Sequence, residues 1–371
     1  MTYRFDEIAI NSTAKKKPVE SDKFHYVGLE HIDSGSFEIT RWGSDVAPVG
    51  EKLIMQKGDV LFGKRRAYQR KVAIAPFDGI FSAHGMVLRP KEDVICKEFF
   101  PFFLSSNQFM DTAIRISVGG LSPTINWKDL QKQEFELPSI EEQRVLADKL
   151  WAAYELKEAY KKMIAATDEM VKSQFIEMFG SGHWEQKCLG EVGTFKRGGG
   201  FQKSDYVECG IPCIHYGQIH TKFGPFIYSH ISEISSDLEC KTKFASKGDL
   251  IIAITSEDTE GSCKSTAWLG DYPVAVGGHA AIFHHSMNPV YMSFFFKSVL
   301  FNHAKMEYIH GTKVCEIKPD DIAKILVPYP PMSLQEEFSS IAQQADKSKF
   351  ELRQAIEKID KVMKSLINDI K

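Results

Sequence analysis

The chain has 371 residues, of which 43% are hydrophobic and 26% are charged, and its formal net charge is −3. This length exceeds what one hydrophobic core usually fills, so two or more domains are expected, and the composition excludes a long disordered protein. A near-neutral chain has no overall signature of a nucleic-acid binder, so any such role must rest on local clusters of charge.

The N-terminus lacks a basic start followed by an apolar run, and the apolar runs further along are far shorter than a membrane span. These features predict a cytoplasmic protein with no membrane partner. The seven cysteines are odd in number and form no CxxC pair, which favours reduced thiols. Cys209, Cys213, His215 and His220 lack the spacing of metal ligands, so we expect no metal site.

The first predicted domain, residues 1–139, contains short apolar runs punctuated by glycine, such as residues 71–75 and 83–88. Runs of this kind are typical of strands, and long loops separate them. We therefore predict a mixed α/β domain that is rich in strands.

A basic cluster is the sharpest local signal in this domain. Five cations lie between Lys64 and Lys71 without an acid, and an aromatic residue and an amide lie among them. Cations neutralise phosphates, arginine can read guanine edges and glutamine can read adenine, so the cluster is a candidate for contact with DNA. A solvated loop is the alternative, and it fits the lysines at 15–17 at least as well. The candidate contacts are Lys64, Arg65, Arg66, Tyr68, Gln69, Arg70 and Lys71.

The second predicted domain, residues 181–331, has the same strand-rich composition. Three glycines at 198–200 follow two cations and would allow a phosphate close to the backbone, although their order fits neither GxGxxG nor a P-loop. A polar and aromatic stretch and a small polar loop follow, and for the histidines a structural role is an equal alternative. The candidate DNA contacts here are Lys196, Arg197, Gln202, Lys203, His215, Tyr216, Gln218, Ser256 and Lys264.

An internal repeat joins the two halves. Residues 120–143 and 311–335 share a glycine turn, an isoleucine, a short aspartate-led element, and an apolar strand ending in proline. Ile125 and Ile317 are 192 residues apart, as are Gln143 and Gln335. Upstream, residues 57–61 resemble residues 247–251, and residues 82–84 resemble residues 277–279.

The glycine turns of the repeat, at 119–124 and 311–313, suggest a shared task in both halves. We favour turn geometry slightly over phosphate contact. Phosphate contact would involve Ser122, Thr124, Thr312 or Lys313.

A long helix is predicted after each copy, at residues 140–180 and 332–371. Mainly apolar residues recur at alternating steps of four and three once Lys157 and Lys349 are included, in the same register at an offset of 192, which indicates a heptad seam. Thr167 and Gln174 weaken the first seam. Each seam covers about 33 residues, or about 50 Å, far more than an average globular helix. The seam positions are Leu146, Leu150, Ala153, Tyr160, Ile164, Val171, Phe338, Ala342, Leu352, Ile356, Ile359, Met363 and Leu366.

The predicted architecture is thus two mixed α/β, strand-rich domains that alternate with two long helices. The two helices would form an antiparallel coiled coil within a pseudo-twofold repeat. Duplicated domains related in this way independently favour a target with two separated halves.

This arrangement resembles the specificity subunit of type I restriction-modification systems. The segment Glu-Leu-Pro-Ser-Ile-Glu-Glu-Gln at 136–143 matches the family pattern of an apolar strand, a proline, an apolar residue and Glu-Gln opening a helix. The second copy departs from it, since Leu334 stands where Glu142 stands in the first, and Glu336 and Glu337 follow as first-turn acids.

The resemblance implies that each domain reads one half of a bipartite double-stranded DNA site. It also implies that the helices set the spacing and dock two modification (methyltransferase) subunits, with restriction subunits added to form the nuclease. This chain would then be non-catalytic and bind no cofactor. S-adenosylmethionine, ATP and magnesium are implied only for the partner subunits.

Two alternatives remain open from the sequence. A coiled-coil scaffold with two domains for a non-DNA ligand is compatible with the near-neutral charge. A single-chain methyltransferase or nuclease is disfavoured, because the sequence contains no amino-methylation tetrapeptide, GxxxxGK[ST], HExxH or GxSxG.

Overall fold

A computed structural model describes residues 1–309 and 315–368 and divides into two compact units. Unit 1 comprises residues 1–161 together with the C-terminal helix from Arg353 onward, and unit 2 comprises Lys162–Leu352. Each unit therefore contains one α/β domain and parts of two long helices. Within these described ranges, no helix combines the length and apolarity needed to cross a membrane.

Unit 1 contains short strands and helices that precede the first long helix, α5, which continues into unit 2. The strands are β1 (Thr2–Arg4), β2 (Ala9–Ser12), β3 (Lys15–Lys16), β4 (Tyr26–Val27), β5 (Lys52–Met55), β6 (Val60–Phe62), β7 (Val72–Ile74), β8 (Gly79–Phe81), β9 (Met86–Pro90) and β10 (Glu134–Glu136). The helices are α1 (Phe5–Ile8), α2 (Phe100–Ser105), α3 (Asn107–Arg115), α4 (Trp127–Leu130) and α5 (Ile140–Phe179).

Two four-stranded sheets form the body of unit 1, in the orders β2-β9-β6-β7 and β3-β5-β8-β4. Strand β6 is buried on both faces, as expected of a central strand between two layers. Val60 and Phe62 belong to the core beneath the helices, whereas Leu61 belongs to the core that includes Leu53 and Phe81 of the second sheet. The first sheet therefore lies between the second sheet and the helices.

Unit 2 repeats this plan with additional strands. Its strands are β11 (Gln186–Cys188), β12 (Gly193–Arg197), β13 (Tyr206–Val207), β14 (Ile211–Ile214), β15 (Phe226–Ile227), β16 (Ser232–Ile234), β17 (Lys243–Ala245), β18 (Leu250–Ala253), β19 (Thr255–Ser256), β20 (Ser265–Trp268), β21 (Val274–Val276), β22 (Ala280–His285), β23 (Cys315–Glu316) and β24 (Leu326–Pro328). Its helices are α6 (Leu189–Val192), α7 (Tyr216–Thr221), α8 (Pro289–Phe295), α9 (Val299–Ala304), α10 (Pro319–Ile322) and α11 (Met332–Asn368).

The sheets of unit 2 have the orders β12-β22-β18-β20-β15 and β13-β16-β14-β21-β17. Strand β18 corresponds to β6, because Leu250 and Ile252 belong to the core beneath the helices while Ile251 and Ala253 belong to the core on the other face. The mixed α/β, strand-rich fold predicted for both halves is confirmed.

The Lys-Gly-Asp step noted in both halves forms the same turn twice. Gly58 and Gly248 adopt φ values of +90° and +95°, which glycine reaches without strain. Asp59, after the first glycine, binds Arg89 through an Nε–Oδ1 contact of 2.6 Å. Asp249, after the second, binds His284 through an Nδ1–Oδ1 contact of 2.6 Å. Each aspartate thus ties its central strand to the neighbouring one.

The long helices contact each other in both units and run antiparallel there. In unit 1 the Lys157 ammonium lies 2.6 Å from a carboxylate oxygen of Asp360. In unit 2 the Lys349 ammonium lies 2.6 Å from a carboxylate oxygen of Asp168. These two ion pairs are the same contact made twice, since each residue has its counterpart 192 positions away. The predicted seam positions are all buried or half-buried.

The helices are longer than the seam suggested, at 40 residues for α5 and 37 for α11. The additional residues lie at the N-terminal end of each helix, because the first helical turn precedes the first seam position. That turn holds the duplicated glutamine.

Gln143 and Gln335 use their amides to hold the first helical turn to the α/β domain. Gln143 is fully buried, and its Oε1 accepts a hydrogen bond from the Cys96 N–H at 2.7 Å. Its Nε2 donates to the carbonyl oxygens of Val94 and Pro138 at 3.1 and 3.0 Å.

Gln335 repeats the arrangement in unit 2. Its Oε1 accepts from the Asn288 N–H at 2.9 Å, and its Nε2 donates to the Pro330 carbonyl at 2.8 Å. The repeated glutamine is therefore a structural residue in both halves.

We predict that Gln143→Ala lowers the free energy of unfolding by about 2–4 kcal/mol, because it leaves a buried N–H and two partly buried carbonyls without their side-chain partner. Urea unfolding followed by circular dichroism measures the change. The exposed neighbour serves as control, and Arg144→Ala should change the value by less than about 0.5 kcal/mol. Equal effects of the two variants would contradict the role assigned to Gln143.

Candidate nucleic-acid interface

The basic cluster of unit 1 lies in the loop that joins β6 to β7. Arg66 and Arg70 both adopt left-handed backbone conformations, with φ values of 56° and 50°, which are uncommon outside glycine. Between them Ala67 is buried while Tyr68 is 54% exposed. The loop is therefore a defined, tightly turned structure with its aromatic residue facing outward.

Backbone hydrogen bonds hold this loop against the glycine turn at 118–125. The Arg66 N–H donates to the Pro123 carbonyl at 2.7 Å, and the Ile125 N–H donates to the Lys64 carbonyl at 3.0 Å. The Arg66 Nε also donates to the Ser122 hydroxyl at 3.2 Å. Ser122 thus lies beside the basic loop and positions one of its arginines.

Thr124 contributes to the internal structure of the same turn. Its backbone exchanges two hydrogen bonds with Val118, at 3.0 and 2.9 Å, and its hydroxyl donates to the Ser122 carbonyl at 3.2 Å. The preference for turn geometry therefore agrees with the contacts that these two side chains make.

Two cations of the cluster are held by the protein itself. The Arg70 guanidinium donates to Asn107 Oδ1 at 2.9 Å and to Asp111 Oδ1 at 3.2 Å. The Lys71 ammonium donates to the Leu29 carbonyl at 2.6 Å. Both side chains therefore anchor the loop to its own domain.

The remaining cations, Lys64, Arg65 and Arg66, have no carboxylate partner among the described residues. The Arg65 guanidinium instead lies 3.4 Å from the His84 ring. Burial, followed by repulsion from Lys15, holds the pKa of Lys64 below its usual value. This part of the loop consequently carries uncompensated positive charge.

Three further basic residues, Lys15, Lys52 and His84, lie near these cations. Lys15 lies on β3 and Lys52 on β5, two strands that pair in the second sheet. Asp22 binds the ammonium of Lys16, the residue directly opposite Lys52. Burial, then repulsion from Arg65, Lys64 and Lys52, holds the pKa of His84 below its usual value. We call the following set the basic surface: Lys15, Lys52, Lys64, Arg65, Arg66 and His84.

Sequence reasoning missed part of the basic surface. Lys52 carries no local signal, and residues 15–17 favoured a solvated loop. His84 was seen only as part of the repeat at 82–84 and 277–279, and that repetition was the one available signal. Strand pairing brings these residues together from positions up to about 70 apart in sequence.

Unit 2 has a loop in the equivalent place, at residues 254–264. The same backbone hydrogen bond closes the loop in each unit. In unit 1 the Gly63 N–H donates to the Lys71 carbonyl at 2.9 Å, and in unit 2 the Ala253 N–H donates to the Lys264 carbonyl at 2.8 Å. Cys263, before Lys264, is left-handed with φ 61°, as Arg70 is before Lys71. Ser256 and Lys264 were predicted from a small polar loop without reference to the basic cluster. They therefore lie in the structural counterpart of that cluster.

The charge of this second loop is different. Glu257, Asp258 and Glu260 are exposed, and Lys264 is its exposed cation. Lys305 is buried beneath it and donates to the carbonyls of Glu260 and Ser262 at 3.2 and 2.8 Å. Carboxylates repel phosphates but can accept a hydrogen bond from the cytosine amino group. The two loops therefore present different chemistry at the same place in the fold.

A cleft of about 600 Å³ opens beside the second loop. Tyr216 packs against the His279 ring at 5.1 Å between centroids, and His220 Nε2 lies 3.1 Å from the Thr255 carbonyl. The cleft thus joins aromatic surface to several polar groups. Its lining includes Tyr216, His220, Thr255, Ser256, Asp258, Lys264 and His279.

The neighbouring candidates His215 and Gln218 cap helix α7. His215 Nδ1 accepts from the Gly217 N–H at 3.2 Å, and burial, then His279 and Lys203, lowers its pKa. Gln218 Oε1 accepts from the His215 N–H at 2.9 Å, and its Nε2 donates to the Ser232 hydroxyl at 2.7 Å. The Gln218 amide is therefore engaged within the domain.

The glycines at 198–200 mainly serve close backbone packing. A Cβ on Gly198 would lie 2.3 Å from the Gly277 carbonyl oxygen, and one on Gly199 would lie 2.6 Å from the Lys241 carbonyl oxygen. Only Gly200 has open space around it.

The other candidates of unit 2 lie on the surface. Lys196, Gln202 and Lys203 are exposed, whereas Arg197 donates to the Gly278 carbonyl at 2.9 Å and lies 3.4 Å from Glu316. Thr312 and Lys313 lie outside the described residues. Across the ranges 1–309 and 315–368, no group of three or more His, Cys, Asp or Glu side chains is arranged to hold a metal ion.

Comparison with known proteins identifies the family. The family model described as the type I restriction modification DNA specificity domain matches residues 7–165 and 182–361. The specificity subunit of the type I restriction enzyme EcoDI from Escherichia coli is 24% identical over 163 residues. That match covers 43% of this chain and 36% of the relative, so it spans about a third of the relative's length.

Two solved structures share the fold over nearly the whole chain. The S subunit of a type I restriction-modification system from M. genitalium has a TM-score of 0.58 at 13% identity, covering 100% of this chain and 95% of that one. A chain from a structure that addresses complex assembly and conformational transition of the type I R-M system has a TM-score of 0.59 at 19% identity, covering 99% and 96%.

We predict that the pKa of His84 rises when a polyanion binds, because phosphates offset the cations that now disfavour the imidazolium. Proton uptake on binding would make affinity for a random-sequence duplex increase as pH falls through that pKa. Titration of the His84 ring by NMR, with and without duplex, measures the shift. Exposed His183 is the control, and a His84 titration that does not respond to duplex would contradict the assignment of the basic surface.

Proposed function

Because the chain belongs to the type I restriction modification DNA specificity family, we propose that it is the non-catalytic DNA-recognition subunit of a type I restriction-modification complex. The observation that carries the proposal is the duplication of the family domain, matched at residues 7–165 and 182–361, with a candidate reading loop at the same place in each structural unit. Each unit would read one half of a bipartite duplex site.

The two halves of the site would differ in sequence. In unit 1 the basic surface, with Arg65 and Arg66, would neutralise phosphates, and an arginine of this loop would also be able to read a guanine edge. In unit 2 the loop at 254–264 and the cleft beside Tyr216 offer carboxylates, hydroxyls and an aromatic face instead. Equivalent loops with unlike side chains support recognition of two unlike half-sites.

The long helices would set the distance between the half-sites and dock two modification subunits, with restriction subunits completing the nuclease. The duplicated ion pairs Lys157–Asp360 and Lys349–Asp168 support a fixed helix pairing. S-adenosylmethionine, ATP and magnesium would be held by the partner subunits. The alternative of a scaffold for a non-DNA ligand receives no support from the comparisons.

The proposal is tested by expressing this chain with its modification subunit in a host without type I methylation and mapping methylated adenine across the genome. A split motif that requires this chain is the expected result, and it would name both half-sites. A stable complex without a split motif, or no complex at all, would contradict the proposal.

For the basic surface, we predict that Arg65→Ala with Arg66→Ala weakens duplex binding and flattens its salt dependence. The slope of log affinity against log salt should decrease by about 0.9 for each phosphate that the variant no longer neutralises. Fluorescence anisotropy across a salt series measures the slope.

Lys57→Ala is the matched control, since Lys57 is an exposed cation in the turn before β6, whereas the basic loop follows β6. It should leave both affinity and slope unchanged. A double variant that behaves like this control would remove the basic loop from the interface.

A further inference from the structure

The tip of the turn at 118–124 exposes apolar surface beside the basic surface. Leu121 is 97% exposed and Val118 is 57% exposed. Single exposed hydrophobic residues are ordinary on protein surfaces and need no explanation by themselves. Leu121 differs from such isolated residues because its neighbour Ser122 accepts a hydrogen bond from the Arg66 Nε at 3.2 Å. The apolar tip and this cation are therefore held next to each other.

The backbone on both sides of Leu121 fixes where the tip of the turn lies relative to the cations. Gly119 turns the chain with a φ of +113°, and the two Val118–Thr124 hydrogen bonds close the turn at its base. The Pro123 carbonyl then accepts the Arg66 N–H at 2.7 Å. The tip is thus positioned by the same loop that carries Arg65 and Arg66.

The side chains of residues 118–124 carry no charge, so this turn adds no cation to the basic surface. A duplex whose phosphates contact Arg65 and Arg66 would bring its groove to the adjacent tip. An apolar side chain at that place can gain free energy by covering an apolar base edge, and the exposed apolar group in the major groove is the thymine methyl.

We propose that Leu121 is a specificity-determining residue of unit 1 that contacts a thymine methyl group in its half-site; this inference rests on the proposed function. The counterpart of Leu121 in the second copy of the repeat, 192 positions later, is Lys313. A cation at that position agrees with a surface that contacts nucleic acid. An exchange between leucine and lysine fits a surface at which the two halves contact different groups of DNA, a base in one half and a phosphate in the other.

The test is a double-mutant cycle on the complex of this chain with its modification subunits. Each thymine of the unit 1 half-site is replaced by deoxyuridine, which removes only the methyl group. One position should weaken binding of the wild-type complex about fourfold, the size expected for one buried methyl. The same replacement should have no effect on Leu121→Ala.

Leu121→Lys provides a second, independent measurement, and position 121 is too exposed for this substitution to disturb folding. The variant should lose discrimination between the split motif and a scrambled duplex while the salt slope rises by about 0.9, as for one additional neutralised phosphate. As a control, the affinity of Leu121→Ala for a duplex of random sequence should equal that of the wild type.

Three results would overturn the inference: additive effects in the cycle, no thymine position that responds, or release of the modification subunits by Leu121→Lys. The last would assign Leu121 to a protein interface. A wild-type complex without preference for a split motif would instead overturn the proposed function, and this inference with it.

Discussion

The buried amide of Gln143, and its counterpart Gln335, is the contact on which the arrangement of each half depends. Each amide joins the first turn of a long helix to the backbone just before helix α2 or α8 of the same domain. A shift of that turn would break the hydrogen bonds of a buried amide, which is costly where water cannot replace them. Each candidate reading loop is therefore built on a domain whose attachment to its helix is defined.

On this common framework the two units differ where a partner would be contacted. The central strands β6 and β18 lead into loops that share hydrogen bonds and a left-handed residue before the closing lysine. One loop carries free cations and the other carries three acids with a buried lysine beneath them. Shared backbone geometry with unlike side chains is what two readers of different half-sites require.

The basic surface also shows why formal net charge is a poor guide to this chain. A total of −3 hides a patch in which His84 and Lys64 are both disfavoured as cations by burial and by their positive neighbours. Binding of phosphates to such a patch is electrostatically favourable, because their negative charge offsets the repulsion between the cations. Within the same loop Arg70 and Lys71 are already engaged by their own domain, so the cluster divides into anchoring and available cations.

The sequence by itself determined the repeat, the helix pair and the class of domain, because a heptad seam and an offset of 192 are properties of spacing alone. It also pointed to both candidate loops, although it did not show that they are equivalent. Only the tertiary structure decided which cations are free, which hydroxyls hold the turn, and that Lys52 and His84 join the basic surface. These depend on strand pairing and on hydrogen bonds between residues tens of positions apart, such as Arg66 and Ser122, and no local pattern encodes them.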